Sequence, residues 1–313
     1  MLESVLSEKR EQTVIFGCGA NYHRYKKKLE HRYDIVGLID NDPDKQNGEI
    51  FSIELLDRCD YDVVVITNMV YEDIEAQLVD YGVTSDRIII AALDEDLFCN
   101  EIMGCRYYGQ HGEDLVAASL FSQIGIEKPS YMDLGANHPI MWSNTALMHR
   151  SGCRGINVEA NPRLIRYFEK VRPDDINVNV GVACSKGMLP YYVFTEDSGL
   201  NTFSKEEADK AGIPVREIRE LPVVTLDEIV SKHCPDGFPD YLDCDIEGLD
   251  YDVLNGYDLK RNGPKVISVE VRPDDSDRFD EMLAGKDYFR FCRIGENNVY
   301  VRNEYSMSLC HTE

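Results

Sequence analysis

The sequence predicts an α/β chain: a parallel sheet flanked by helices, preceded by a smaller α/β unit of similar build. Three observations carry this. Short apolar runs alternate with segments of helical spacing along most of the length, the pattern of βαβ units. Two of those runs, Tyr131–Leu134 and Gly155–Glu159, lie one βαβ unit apart, and each carries an acid near its carboxyl end. Near the end of the chain, residues 289–293 and 298–302 flank a short turn at Gly295 and read as a closing antiparallel pair.

At 313 residues the chain has room for two domains, and 43% hydrophobic residues support a real core. Acids dominate the charge, with 57 Asp+Glu against 33 Lys+Arg and a formal net charge of -24. Such a surface disfavours nucleic acid and anionic lipid as partners, although a cleft can be locally basic. No apolar run approaches the roughly 20 residues of a membrane span. Met1–Ser4 lacks the basic-then-apolar order of a signal peptide. A cytoplasmic protein without an integral membrane segment is expected. The 10 cysteines include no Cys-x-x-Cys pair and read as reduced core thiols rather than metal ligands.

Residues 1–96 form the first expected domain. The strand at 12–17 runs into Gly17-Cys18-Gly19, and Tyr22, Tyr25 and Leu29 follow at helical spacing. Further strands are expected at 34–40, ending in Asp40, at 61–67 and at 88–90, with a helix stopped by Gly82. This is half of a dinucleotide fold with a defective fingerprint, because Tyr22 stands where the third glycine belongs. Either Gly17, Gly19 and Asp40 hold a nucleotide or nucleotide sugar, or the module binds no cofactor and serves docking or self-association. Homo-oligomerisation stays open. Residues 97–106 carry no clean period and read as a linker.

The second domain, residues 107–313, begins with a helix carrying Val116, Leu120 and Ile124. Tyr131–Leu134 follows, then a loop and helix to Arg150, the strand ending at Glu159, and Asn161-Pro162 as a helix start. A third strand is expected over 177–183 and a hairpin arm over 189–194. Residues 195–220 are polar and without period, which suits a lid over a cleft. Thr225 and Glu228 form a capping box. Strands at 240–246 and 265–270 precede the closing pair, and Asp250 falls in a first helical turn.

Chemistry concentrates at the strand ends. The turn Gly135-Ala136-Asn137 lets a ligand lie against bare backbone, and Asn137 tolerates a positive φ. Acids ending adjacent parallel strands suit the paired hydroxyls of a ribose. With a single glycine there is no pyrophosphate cradle, so a nucleoside such as S-adenosylmethionine fits better. Asp243, Asp245 and Glu247 alternate and can share one face. Clustered carboxylates either bind a hard cation such as Mg²⁺ or raise one another's pKa until one serves as a base.

The blocks Tyr108-Gly-Gln-His-Gly-Glu-Asp-Leu115, Asp133-Leu-Gly-Ala-Asn-His-Pro139, Ser143-Asn-Thr145, Gly155-Ile-Asn-Val-Glu-Ala-Asn-Pro162, Leu200-Asn-Thr-Phe203 and Asp245-Ile-Glu-Gly248 occur in that order. Over roughly residues 107–302 this series resembles the FkbM family of S-adenosylmethionine-dependent methyltransferases. The resemblance implies a class I methyltransferase-like (Rossmann-type) sheet and O-methylation of hydroxyls on sugars, polyketides or glycans. Three departures stand out: Asp243 replaces a frequent lysine, Ala160 replaces a common proline while Glu159 is kept, and Asn201 replaces a frequent serine.

Roles follow as expectations. Asp133, Gly135 and Asn137 hold the methionine end, Glu159 accepts the ribose hydroxyls, and Val180 or Gly181 flanks the adenine. Asp245 and Glu247 stand at the acceptor, as base or Mg²⁺ ligands, with Asp245 also near the cofactor. His111 and His138, in loops at the cleft rim, are alternative bases. Ser143, Asn144, Thr145 and Asn201 are acceptor-binding candidates. The acceptor is a small molecule or glycan. Two other classes stay in view: a nucleotide-sugar binding or oxidoreductase protein led by the first domain, and a non-catalytic scaffold.

Overall fold

The computed structural model describes residues 10–196 and 198–310. The chain forms two compact units, Met1–Cys99 and Asn100–Glu313.

In the first unit, β1 (Gln12–Phe16) leads through α1 (Ala20–Arg32) to β2 (Asp34–Ile39), then β3 (Ile50–Phe51) and β4 (Val63–Ile66). Helix α2 (Glu72–Tyr81) and β5 (Ile88–Ile90) follow. The sheet is parallel, in the order β3-β2-β1-β4-β5. Helix α1 buries Tyr22, Tyr25 and Leu29, as their spacing requires. Asp40, just past β2, is engaged on both oxygens. Oδ2 accepts from the Cys18 backbone N–H at 2.7 Å and Lys45 Nζ at 3.1 Å, and Oδ1 accepts from the Asp42 N–H at 2.9 Å. The chain's own donors therefore fill Oδ2 and leave one acceptor position on Oδ1.

The segment expected as a linker contains a hairpin. β6 (Asn100–Ile102) pairs antiparallel with β7 (Cys105–Tyr107) across Met103 and Gly104, both at positive φ (49° and 80°). Such turns usually show Asn-Gly, and Met103 hides the signal.

The second unit continues with α3 (Glu113–Gln123), β8 (Tyr131–Leu134), α4 (Ala146–Arg150), β9 (Gly155–Glu159), α5 (Ile165–Val171) and β10 (Ile176–Asn179). Next come β11 (Gly181–Val182), β12 (Gly187–Val193), α6 (Lys205–Lys210), β13 (Glu217–Val224), α7 (Leu226–His233) and β14 (Tyr241–Cys244). The last elements are α8 (Asp250–Gly256), β15 (Val266–Glu270), α9 (Ser276–Ala284), β16 (Tyr288–Ile294), β17 (Asn297–Arg302) and α10 (Ser306–Cys310). The main sheet runs β10-β9-β8-β14-β15-β17-β16. Its first five strands are parallel, and β17 runs antiparallel to both neighbours. This is the Rossmann-type sheet with a closing hairpin expected of a class I methyltransferase fold. One core joins Met132, Val158, Leu242 and Ile267 of the strands to Ile229, Leu254 and Leu283 of α7, α8 and α9.

The strand expected over 177–183 breaks at Val180. Asn179 Nδ2 donates to the carbonyls of Glu159 and Ala160, at 2.8 and 3.0 Å, and ends the pairing. Beyond it, β11 joins β13 and β12 in a separate three-stranded sheet. Residues 217–220 belong to β13, so the polar connection is shorter than expected. No described helix is long and apolar enough to cross a membrane.

Under the loop between β8 and α4 lies a buried cation, Arg172, with 0% exposure. Its guanidinium donates to Thr145 Oγ1 at 2.8 Å, Ser143 Oγ at 2.9 Å and the Pro139 carbonyl. Thr145 Oγ1 in turn donates to Asp133 Oδ2 at 2.6 Å. Replacing one partner of a buried charged network typically costs about 3–5 kcal/mol. Urea unfolding of Arg172→Met is expected to show a loss of about that size.

Candidate active site

The site grows out of the carboxyl ends of β8, β9 and β14. The backbone N–H groups of Gly135 and Ala136 donate to the Val158 carbonyl at 3.0 and 3.1 Å, which folds the turn onto β9. Gly135 has φ 79°, and a Cβ there would collide with the Asp245 carbonyl oxygen, so only glycine fits. Asn137 takes φ 50°. Its N–H donates to Glu159 Oε2 at 2.8 Å, and the Asn161 N–H donates to Glu159 Oε1 at 2.7 Å. One carboxylate thus ties together the loops that follow β8 and β9.

These groups line a half-open cavity of about 490 Å³, counting the solvent space at its mouth. Gly135, Asn137, Glu159, Val180, Gly181, Asn201, Asp245 and Glu247 all contribute to its wall. Three residues that the sequence did not single out, Leu164, Tyr191 and Ser198, line it as well, together with Phe203. The Tyr191 and Phe203 rings pack 4.8 Å apart, and the Phe203 ring lies where a Cβ on Gly181 would fall. Tyr191 could have been found by its inward position in the alternating run of β12. The wall is therefore carboxylate on one side and apolar on the other.

Across the cavity, the Asp245 N–H donates to the Leu134 carbonyl at 3.0 Å. Glu247 takes φ 52°, and its carbonyl accepts from Thr202 Oγ1 at 2.7 Å. Asp250 caps the turn, accepting from the N–H groups of Ile246 and Gly248 at 3.0 and 3.1 Å. Carboxylate oxygens of Asp245, Glu247 and Glu270 converge within 4.8 Å of one another. Burial, then the neighbouring acids Glu270 and Asp250, pushes the Glu247 carboxyl up to about 8. Burial raises Glu159 to about 7, against the backbone N–H groups of Asn161, Asn137 and Ala160 that favour its charge.

Residues 133–292 match the model of the FkbM methyltransferase domain. The chain belongs to the FkbM methyltransferase family. Residues 9–89 match a C2185-like amino-terminal domain. No curated protein matches the chain.

Within the FkbM unit, several expected site residues lie off the cavity wall. Asp133 is buried beneath the turn and bonded to Thr145, rather than presented to a methionine end. Burial pushes its carboxyl up, partly offset by Thr145 and Arg172. Ser143 and Thr145 bind Arg172, and Asn144 Nδ2 lies 3.2 Å from both oxygens of buried Asp243. Ser143 and Thr145 are drawn behind the loop by Arg172, which caps the carboxyl end of α5, and Asn144 is held by Asp243. His138 is buried, and its Nδ1 accepts from the backbone N–H groups of Ile140 and Met141 at 3.1 and 3.0 Å. Burial, with Arg172 nearby, lowers its pKa to about 3, so it stays neutral and internal. His111 sits 3.2 Å from Glu113 Oε1 and against Gly295, and lines neither this cavity nor the larger one beside it.

Carboxyls whose pKa is raised in the folded chain favour folding fully below their ordinary range. That contribution is lost as pH rises through about 7 for Glu159 and about 8 for Glu247. The ligand-free protein is expected to melt at progressively lower temperature between about pH 5 and pH 8. A thermal scan across that range checks it, with a shallower fall expected for Glu159→Gln.

Proposed function

We propose that this FkbM methyltransferase uses S-adenosylmethionine to methylate a hydroxyl of a carbohydrate or glycoconjugate. The observation that carries the reading is the wall made by the Gly135 turn and the Glu159 carboxylate, facing Asp245 and Glu247 across one cavity. The Glu159 carboxylate accepts from the backbone N–H groups of Asn137 on Oε2, Asn161 on Oε1 and Ala160, and its remaining acceptor capacity suits ribose hydroxyls. The bare Gly135 backbone suits the close approach of the amino-acid end, and the slot of Val180, Gly181, Leu164 and Phe203 suits a flat purine.

When bound, S-adenosylmethionine supplies an electrophilic methyl group on a sulfonium. The chain's task is then alignment and proton removal. Glu247 lines both this cavity and the larger one beside it, so it stands between cofactor and acceptor. Its raised pKa makes it a base that works near neutral to mildly alkaline pH. Glu247 would take the acceptor hydroxyl's proton as the C–O bond forms and the methyl–sulfur bond breaks, its electron pair staying on sulfur. Asn201 helps hold the lid segment, with Oδ1 accepting from the Phe194 N–H at 2.8 Å and Nδ2 donating to the Thr195 carbonyl at 2.8 Å. The reading led by the first unit has less room at Asp40, where Lys45 and two backbone N–H groups leave a single acceptor position, on Oδ1.

Calorimetric titration with S-adenosylmethionine is expected to give binding that weakens at least about ten-fold in Glu159→Ala, since charge-assisted bonds are lost. Glu247→Gln should keep cofactor affinity and lose about 10²–10⁴-fold in transfer, read as S-adenosylhomocysteine release over a sugar panel. Transfer that survives EDTA agrees with a carboxylate base. Loss on chelation, restored by Mg²⁺, would instead make Asp245 and Glu247 cation ligands.

A further inference from the structure

Two successive residues beyond β14 take left-handed backbone, Glu247 with φ 52° and Gly248 with φ 97°. Glycine adopts that region freely, but a residue with a side chain persists there only where its surroundings hold it. Asp250 holds the turn from one side, through the N–H groups of Ile246 and Gly248. The segment after β12 holds it from the other. Buried Thr202 donates its hydroxyl hydrogen to the Glu247 carbonyl at 2.7 Å, and the same oxygen accepts the Ser204 N–H at 2.8 Å. Thr202 is itself anchored, because its backbone exchanges two hydrogen bonds with Tyr192, at 2.8 and 3.2 Å. A Cβ on Gly248 would collide with the Glu207 side chain of α6, and Glu207 pairs with Arg272. The segment therefore packs directly on both left-handed residues.

The same stretch of chain walls both cavities. Ser198, Asn201 and Phe203 line the cofactor-sized one, and Leu200, Glu206 and Glu207 line the larger one beside it. Thr202 lines neither and turns its hydroxyl to the backbone of Glu247, which lines both. The Cα–Cβ bond turns with φ and ψ, so the direction of the Glu247 carboxyl depends on how its own carbonyl is held. A misplacement of about 1 Å at a reacting group can cost about 10²-fold in rate.

We propose that Thr202 is a positioning residue for methyl transfer. Its hydroxyl holds Glu247 in the left-handed conformation that presents the carboxyl to both cavities. This deepens the proposed function and rests on Glu247 acting as the base there.

The test compares the full-length protein with Thr202→Val, Thr202→Ala, Thr202→Ser and Ser204→Ala. The first two remove the donor, and serine keeps it. Ser204→Ala removes the cap of α6, where Ser204 Oγ accepts the Glu207 N–H at 3.3 Å, and leaves the Thr202 hydroxyl in place. Amide hydrogen exchange over residues 246–250 needs no acceptor. It is expected to run at least about ten-fold faster in Thr202→Val or Thr202→Ala, and near the wild-type rate in Thr202→Ser and Ser204→Ala. Transfer is read as S-adenosylhomocysteine release with glucose, galactose, mannose and N-acetylglucosamine as probes. The donor-free variants are expected to lose about 10–100-fold in kcat with KM for S-adenosylmethionine unchanged, and Thr202→Ser to recover most of the loss. Unchanged exchange over 246–250 in the donor-free variants overturns the proposal. Equal losses in Thr202→Val and Ser204→Ala overturn it too, since Thr202 would then only support the lid. A loss carried by KM for S-adenosylmethionine, with kcat kept, does the same. Failure of S-adenosylmethionine to bind, or wild-type transfer by Glu247→Gln, counts instead against the proposed function itself.

Discussion

The geometry of the second unit depends on a single buried carboxylate. Glu159 ends β9 and accepts backbone N–H groups from both Asn137 and Asn161, so two loops from adjacent parallel strands hang on one side chain. Backbone donors at a strand end must find partners, and here an acid supplies them where water is scarce. The cost is visible in its raised pKa, which marks how reluctantly the charge is held without a ligand. The same feature makes the carboxylate ready for hydroxyl donors. Fold and candidate site are therefore two uses of one group.

A second arrangement lies behind the first. Asp133 and Asp243 are neighbours across β8 and β14, and both are buried. Their mutual repulsion is relieved by Thr145, which links Asp133 to Arg172, and by Asn144, which faces Asp243. Polar side chains that resemble a binding set thus form a support for the turn that carries Gly135. In front of the turn, Asp245, Glu247 and Glu270 form no ion pair among the described residues, and the charges that act on Glu247 are acids. That difference separates scaffold acids from acids available to a ligand.

Local rules made much of this fold legible in the sequence. The buried runs of β4, β8 and β14 were readable as parallel strands, as were the αL stop at Gly82 and the Thr225–Glu228 capping box, which forms in full. The positive φ of Asn137 was readable from the turn chemistry. Features set by distant chain were not. Arg172 lies 27 residues beyond Thr145, and no spacing rule announces that it fills the space behind the β8 loop. The two-residue strand β11 is too short to show a period, and its partner β13 lies far along the chain. Glu270 ends β15 without any motif, yet it completes the carboxylate trio with Asp245 and Glu247.

The most direct measurement is a crystal structure of the protein with S-adenosylhomocysteine. The ribose hydroxyls are expected on Glu159, the amino-acid end along the Gly135 turn, and the thioether sulfur facing Glu247. A nucleoside bound elsewhere, with Glu159 contacting only the Asn137 and Asn161 backbone, would contradict it.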